Sequence, residues 1–427
     1  MLRLLPRSTS RFSPGSLLAR SLSSSSSAPG VPPPFAVEQW SGWESGLHVL
    51  SNSDCAPLKQ STLLAMATPE QKEAWDNLEL GYGEQRGATF LREAICKTYE
   101  TTDPVTGEEL PAITPEHVNV VVPAEGIFLA ATALLSPGDE VVCAMPCYQS
   151  LHQLAETRGC SVTPWMPTVA SRPGQSSFMF GPDETLYHNF DVAELERLVT
   201  PDTKMVVLNF PHNPTGAMLT SAELRKVVEI CAKADAYLFV DEMYKWLEHK
   251  GRETLPSACA MYPKGISLGG VSKSLGLPGI RIGWVTTRDE EAMTKMSQLK
   301  DYTTISASRP AEVLADIALS NRSQIVDNMR DLVLSNKSFL KSFVLQNPGE
   351  LQWIEPEGGS FAFVRITNGS TADDYCSALA KEGGIALMPG SLFEKAGDDC
   401  VRVCMGRADM TEHVNLWQAV IDTRGEQ

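Results

Sequence analysis

Lys273, in the stretch SLGGVSKSLGLPGIRIGWVTT, is the residue of this chain best placed for covalent chemistry. It follows a short β-type run, Ser272 precedes it, and Gly276 and Gly279 let the backbone turn closely before Arg281, eight residues on. An amine at a strand end forms a Schiff base with an aldehyde, and a guanidinium makes a two-pronged bond with a phosphate. Together they suit a phosphorylated aldehyde. The plainer reading of the segment alone is a solvated lysine in a glycine-rich loop.

Three upstream residues argue against the plain reading. Asn213, in MVVLNFPHNPTGAML, stands directly after an apolar run and between two prolines that fix the loop. Its amide can donate to a phenolate oxygen, although NPTG is also a good turn. Asp241 closes the apolar run YLFVD, so its carboxylate is expected to be buried and to need a partner, which a pyridinium nitrogen would provide. A helix N-cap is the alternative for Asp241. Tyr244, three residues on, can share the phenolate with Asn213 or simply pack.

The elements that must position these groups alternate from about residue 118 to 287. Strands are expected at 118–122, 140–145, 205–210, 237–241, 266–269 and 282–287, and helices at 126–135, 149–158, 192–199 and 221–232. This is the pattern of an α/β fold, a mostly parallel sheet covered on both faces, whose ligands sit beyond the carboxyl ends of the strands. Past residue 298 a long helical stretch, 309–345, leads into strand-like runs at 351–354, 360–364 and 401–405. The expected domains are a targeting peptide at 1–30, an arm with part of a small domain at 31–70, a large domain at 71–298, and a small α+β domain at 299–427.

Residues 1–30 hold four arginines, many serines and no acid, whereas the remaining chain is acidic. Their removal would take the formal charge from −16 to −20. The contrast marks a targeting peptide, with the mitochondrial matrix as the expected destination and a plastid as the alternative favoured by the serine run 23–27. So acidic a chain is a poor partner for nucleic acid or an anionic membrane. No run approaches the roughly 18 apolar residues of a spanning helix. The ten cysteines are scattered singly with no histidine beside the two closest pairs, which reads as buried thiols and not as a metal site.

NPTG, the strand ending in Asp-x-x-Tyr, and Ser-Lys followed by Arg281 together resemble the fold type I pyridoxal-phosphate enzymes, specifically the class I/II aminotransferases. The resemblance runs from about residue 51 to 417. It implies a large domain with a seven-stranded sheet plus a smaller domain, pyridoxal 5′-phosphate as cofactor, and an amino acid and a 2-oxo acid as substrates. It also implies roles. Lys273 would hold the internal aldimine and shuttle the proton, Asp241 would pair with the ring nitrogen, and Asn213 and Tyr244 would bond the 3′ oxygen. Arg281 and Ser272 would serve the phosphate, and Tyr148, in PCYQSL, would stack on the ring. Tyr82, in LGYGEQRG, would reach the phosphate of a neighbouring subunit, which implies a homodimer. Arg402, in CVRVCMGR, would grip the substrate carboxylate, with Arg407 as its competitor.

Two positions depart from the family pattern. The phosphate cup reads VVVPAEG, so with Pro123 lacking an N–H it would rest on Ala124 and Glu125. Three residues before the lysine, where many relatives carry serine, stands Gly270. The wording PAEGIFLAA, NFPHNPTGA and KDYTTISAS is similar to the subgroup that includes capreomycidine synthase. A pyridoxal-phosphate elimination, replacement or cyclisation enzyme is therefore the alternative activity. A regulator that kept the fold and lost the chemistry is the alternative of another class, and the joint presence of Lys273, Asp241 and Arg402 argues against it.

Overall fold

The computed structural model describes residues 30–41, 44, 46–173, 184–393 and 397–425. The targeting peptide expected at 1–30 lies outside them, save Gly30.

The six apolar runs of the central segment, joined at one edge by a strand at Ser161–Trp165 that the sequence did not announce, form one seven-stranded sheet. Its strands are β1 (Val118–Val121), β2 (Glu140–Ala144), β3 (Ser161–Trp165), β4 (Thr203–Asn209), β5 (Tyr237–Asp241), β6 (Gly265–Gly270) and β7 (Gly283–Thr287), in the spatial order β1-β7-β6-β5-β4-β2-β3. β7 runs antiparallel to both β1 and β6, and every other pairing is parallel. Every residue of β5 and β6 is buried, which is why these strands read as unbroken apolar runs instead of alternating ones. In register, Asn209 lies opposite Asp241, and Asp241 opposite Leu268. The carboxyl ends of β4, β5 and β6 are therefore abreast, and the loops carrying Asn213, Asp241 and Lys273 leave the sheet on one side.

A four-stranded antiparallel sheet follows, with β8 (Leu351–Gln352), β9 (Phe361–Ile366), β10 (Met388–Pro389) and β11 (Cys400–Cys404) in the order β8-β9-β11-β10. It places Arg402 between Phe363 of β9 and Met388 of β10. The short strand His48–Val49 pairs in parallel with Ile385–Ala386, which lays residues 51–54 against the same sheet. Ahead of it, helix α1 (Ala36–Ser41) docks through the Trp40 indole N–H on the Leu387 carbonyl at 3.0 Å.

Two expected elements differ. The helix expected from residue 126 begins three residues earlier, as α2 (Pro123–Leu134), with Pro123 at the first helical position, where its missing N–H costs nothing. The single helix expected over 309–345 is two, α3 (Arg309–Ser320) and α4 (Arg322–Gln346). Asn321 separates them: its side-chain amide donates to the carbonyls of Ile317 at 2.8 Å and Met66 at 3.1 Å, which competes with the helical ladder. Helices at Pro69–Asp76, Thr89–Cys96 and Glu290–Lys300, and the hairpin of Thr168–Pro173 with Glu184–Asn189, were not anticipated from the sequence. Among the described residues no helix is long and apolar enough to cross a membrane, and no cluster of His, Cys, Asp and Glu could hold a metal. Nine of the ten free thiols are buried.

Candidate active site

A cavity of ≈ 360 Å³ opens where the ends of β4, β5 and β6 face β11 and residues 51–54. A larger groove of ≈ 830 Å³, beside Asp191 and Lys226, is lined by none of the candidate residues and holds no comparable grouping of functional side chains.

Lys273 projects into the smaller cavity, and its Nζ donates to Ser53 Oγ at 2.8 Å. Burial holds its pKa below the ordinary 10.5; the Asp54 carboxylate opposes that shift and the Arg402 cation adds to it. At the cavity floor Asp241 is 6% exposed, and Oδ1 accepts only the Met243 N–H at 3.0 Å. Burial pushes this carboxyl up to about 7, although the Met243 N–H and Lys273 favour its ionised form. Such a carboxylate is short of a positive partner.

The NPTG loop is tied to β5 by one side chain. Asn209 Oδ1 accepts the Asn213 N–H at 2.8 Å while its Nδ2 donates to the Asp241 carbonyl at 2.9 Å. Gly216 takes φ +69°, and a Cβ there would stand 2.5 Å from Pro356 Cβ, so only glycine lets the loop pack on the segment before β9. Asn213 Oδ1 accepts Arg402 Nη1 at 2.9 Å, which turns the amide N–H groups away from the arginine. Tyr244 is buried edge-on to Phe361, with ring centroids 4.9 Å apart. Burial raises its phenol pKa above 10, partly offset by the Arg402 cation and the bond to Ser53.

The two arginines differ in their surroundings. Arg407 Nη2 lies 3.0 Å from both oxygens of Asp54, whereas Arg402 lines the cavity. Arg402 is 3% exposed and donates to the Ser51 carbonyl at 2.7 Å, but among the described residues its Nε has no partner and no carboxylate touches it. A buried cation in that state has capacity for an anion.

At the other end of the cavity lie Ser272, Arg281, Ala124 and Tyr148. The Ser272 hydroxyl is buried without a partner among the described residues. Arg281 takes a left-handed φ of 57°, a strained conformation for a side-chain-bearing residue, and donates to the Pro278 carbonyl at 2.8 Å. Tyr148 is half-buried against Phe35, centroids 4.9 Å apart. The start of α2 at Pro123 leaves the N–H groups of Ala124 and Glu125 without partners inside the helix. The Glu125 side chain is not part of the cavity: it accepts the Val122 N–H at 3.1 Å and the Thr304 hydroxyl at 2.8 Å, leaving only its backbone for the site. Gly270 has a steric reason as well. A Cβ there would meet the Met243 sulfur at 2.9 Å, so the thioether fills the space of a serine side chain. Tyr82 does not reach this cavity and is 86% exposed.

Sequence reasoning missed Ser51, Ser53, Asp54, Val37, Glu38 and Met388, all of which line the cavity. They arrive through the pairing of 48–49 with 385–386 and the docking of α1, contacts between distant segments that no local pattern announces.

The sequence profile of the family described as "Aminotransferase class I and II" matches residues 49–416. The chain belongs to this family. Among its relatives, capreomycidine synthase of Streptomyces vinaceus is 30% identical over 273 residues, 64% of this chain and 66% of that protein. An arginine–pyruvate transaminase of Pseudomonas aeruginosa is 26% identical, covering 78% and 81%. Among solved structures, a PLP-dependent aminotransferase from Streptococcus suis matches with TM-score 0.77 at 27% identity, covering 92% of this chain and 98% of that one. A PLP-dependent cyclase matches with TM-score 0.78 at 25% identity, covering 94% and 100%. This aminotransferase is thus a pyridoxal-phosphate-dependent enzyme of fold type I. Its residues fit that cofactor: an orphaned Ser272 hydroxyl and the free N–H groups at the start of α2 suit a phosphate, and a buried carboxylate short of a cation suits a pyridinium.

Proposed function

We propose that this aminotransferase moves the amino group of an α-amino acid to a 2-oxo acid at the cavity around Lys273. The observation that carries the reading is the convergence there of a half-buried amine, a buried acid and a buried arginine whose Nε has no partner among the described residues. Asp241 would pair with the ring nitrogen, Asn213 and Tyr244 with the 3′ oxygen, and Tyr148 would cover the ring. Arg281, Ser272 and the N–H groups of Ala124 and Glu125 would hold the phosphate. Bound there, pyridoxal phosphate supplies an aldehyde carbon for amine exchange and a ring that accepts the electron pair left at the substrate's Cα. Arg402 binds and orients the α-carboxylate. Lys273 Nζ takes the Cα proton, its lowered pKa favouring the neutral amine that this needs. Ser53 Oγ receives the amine between those tasks.

Adding one equivalent of a donor amino acid to the purified holoenzyme should change the cofactor's visible absorption and release one equivalent of 2-oxo acid with no acceptor present. Lys273→Ala should abolish both. An unchanged spectrum with every donor tried would count against the reading. Cyclisation or elimination is the second reading, supported by the likeness to capreomycidine synthase and to the cyclase structure. Ammonia release or a cyclic product without an acceptor would select it.

The assembly proposed is a homodimer in which Tyr82 serves the partner's phosphate. It is supported by the exposure of Leu80, Tyr82 and Tyr302 at 82%, 86% and 87%. Sedimentation of the holoenzyme tests it. Residues 1–30 direct the chain to the mitochondrial matrix in this reading, or to a plastid, and a fluorescent fusion of that segment distinguishes the two.

A further inference from the structure

The proposed chemistry uses nearly every charged group of the cavity. Lys273 is the amine, Asp241 faces the ring nitrogen, Arg281 the phosphate and Arg402 the α-carboxylate, while Asp54 is held by Arg407. Glu38 remains. It lines the cavity and makes no hydrogen bond or ion pair among the described residues. Its position is nonetheless fixed, because α1 is pinned on two sides. The Ala36 N–H donates to Gln149 Oε1 at 2.8 Å, next to Tyr148, and the Trp40 indole bonds the Leu387 carbonyl, next to Met388.

Arg402 and Glu38 each have an apolar neighbour in the lining. Met388 lies opposite Arg402 in the β10–β11 register, and Val37 precedes Glu38; both are buried and both face the cavity. A substrate held by its α-carboxylate at Arg402 thus shares the cavity with this aliphatic pair and with the Glu38 carboxylate. No lining cation is left over to receive a distal carboxylate. The negative charge of Glu38 also contributes, second to burial, to holding the Tyr148 phenol above its ordinary pKa, and it raises the neighbouring Glu44 carboxyl.

Resting on the aminotransferase reading, we propose that the site selects an amino acid whose side chain ends in a cation, a guanidinium or ammonium on an aliphatic stem, with Glu38 as the selecting group. A long methylene stem packs on Val37 and Met388 while its charged head reaches the carboxylate.

The probe pair is L-arginine against L-citrulline, which has the same shape without the charge. With the full-chain holoenzyme, kcat/KM for arginine should exceed that for citrulline by about tenfold, the usual worth of a hydrogen bond to a charged group. Glu38→Gln should collapse the ratio to within about threefold, and Glu38→Lys should reverse it. Glutamate should be the poorest donor for the wild type and improve in Glu38→Lys. A binding measurement stands beside turnover: 5-guanidinopentanoate, which lacks the α-amino group, should bind more tightly than 5-ureidopentanoate to the wild type and no more tightly to Glu38→Gln. Unaltered melting temperature and cofactor absorption in the variants show that the fold is kept. Equal use of arginine and citrulline by the wild type, or a preference that survives Glu38→Gln, overturns the assignment of Glu38 and leaves the aminotransferase reading standing. If no amino acid alters the cofactor spectrum, that reading fails instead, and the two pentanoates decide the role of Glu38 by themselves, equal binding or none overturning it.

Discussion

Asp241 should make the cofactor-free enzyme less stable as pH rises, and Asp241→Asn should remove that dependence. Burial raises its carboxyl from the ordinary 3.8 to about 7, so between those values the folded chain holds a proton that the unfolded chain has lost. Stability therefore declines as pH climbs from about 4 through 7 and levels off above it. At 1.36 kcal/mol per pK unit the full difference is about 4 kcal/mol, of which about 3 kcal/mol develops between pH 5 and pH 8. With an unfolding entropy of about 2.1 cal/mol/K per residue, a chain of this length converts 3 kcal/mol into about 3 °C of melting temperature. Asparagine keeps the acceptor for the Met243 N–H and does not titrate. The assay is the melting temperature of cofactor-free wild type and Asp241→Asn from pH 5 to pH 8, taken as a difference so that all other titrating groups cancel. The variant should gain about 3 °C on the wild type across that range, and the gain should vanish when pyridoxal phosphate, whose ring nitrogen supplies the missing cation, is restored to the wild type. Parallel pH profiles would refute the argument, since the carboxylate would then not be paying for its burial.

Arg402→Lys replaces a fork that bonds Asn213 and Ser51 with a single point charge, so kcat/KM for any amino acid should fall about 100-fold with the cofactor's absorption unchanged. A loss of cofactor instead would place Arg402 at the wrong end of the cavity. Ser53→Ala removes the acceptor of the Lys273 amine, which favours its neutral form, and should shift the acid limb of the pH–rate profile to lower pH. Gly270→Ser should cost about 1–2 kcal/mol because its Cβ meets Met243, and Met243→Ala in the same chain should show a favourable coupling in a double-mutant cycle.

What could be read from the sequence divides according to how far apart the cooperating residues lie. Six of the seven strands of the large sheet were legible because burial on both faces writes them as apolar runs, and the groups at their carboxyl ends, Asn213, Asp241 and Lys273, inherit that legibility; the edge strand Ser161–Trp165, mostly open to solvent, carries no such run and was missed. The helix break at Asn321 was not, because the period of apolar residues continues through it and the break depends on a bond to Met66, 255 residues away. The same distinction separates the two halves of the active site. The half that serves the cofactor is built from strand ends and adjoining loops of one sheet, so its residues come with local motifs. The half proposed to meet the substrate is assembled from α1, residues 51–54 and β10, joined by tertiary contacts such as the Ala36 N–H on Gln149 and the Trp40 indole on Leu387. Glu38 carries no motif at all: an exposed glutamate in the first turn of a six-residue helix reads as a solvated charge. Only the packing of that helix over the cavity turns it into the unpaired carboxylate beside the substrate wall. Chemistry shared by many relatives is thus written locally, whereas the group that would distinguish this enzyme's substrate is written in how the chain ends fold across the sheet.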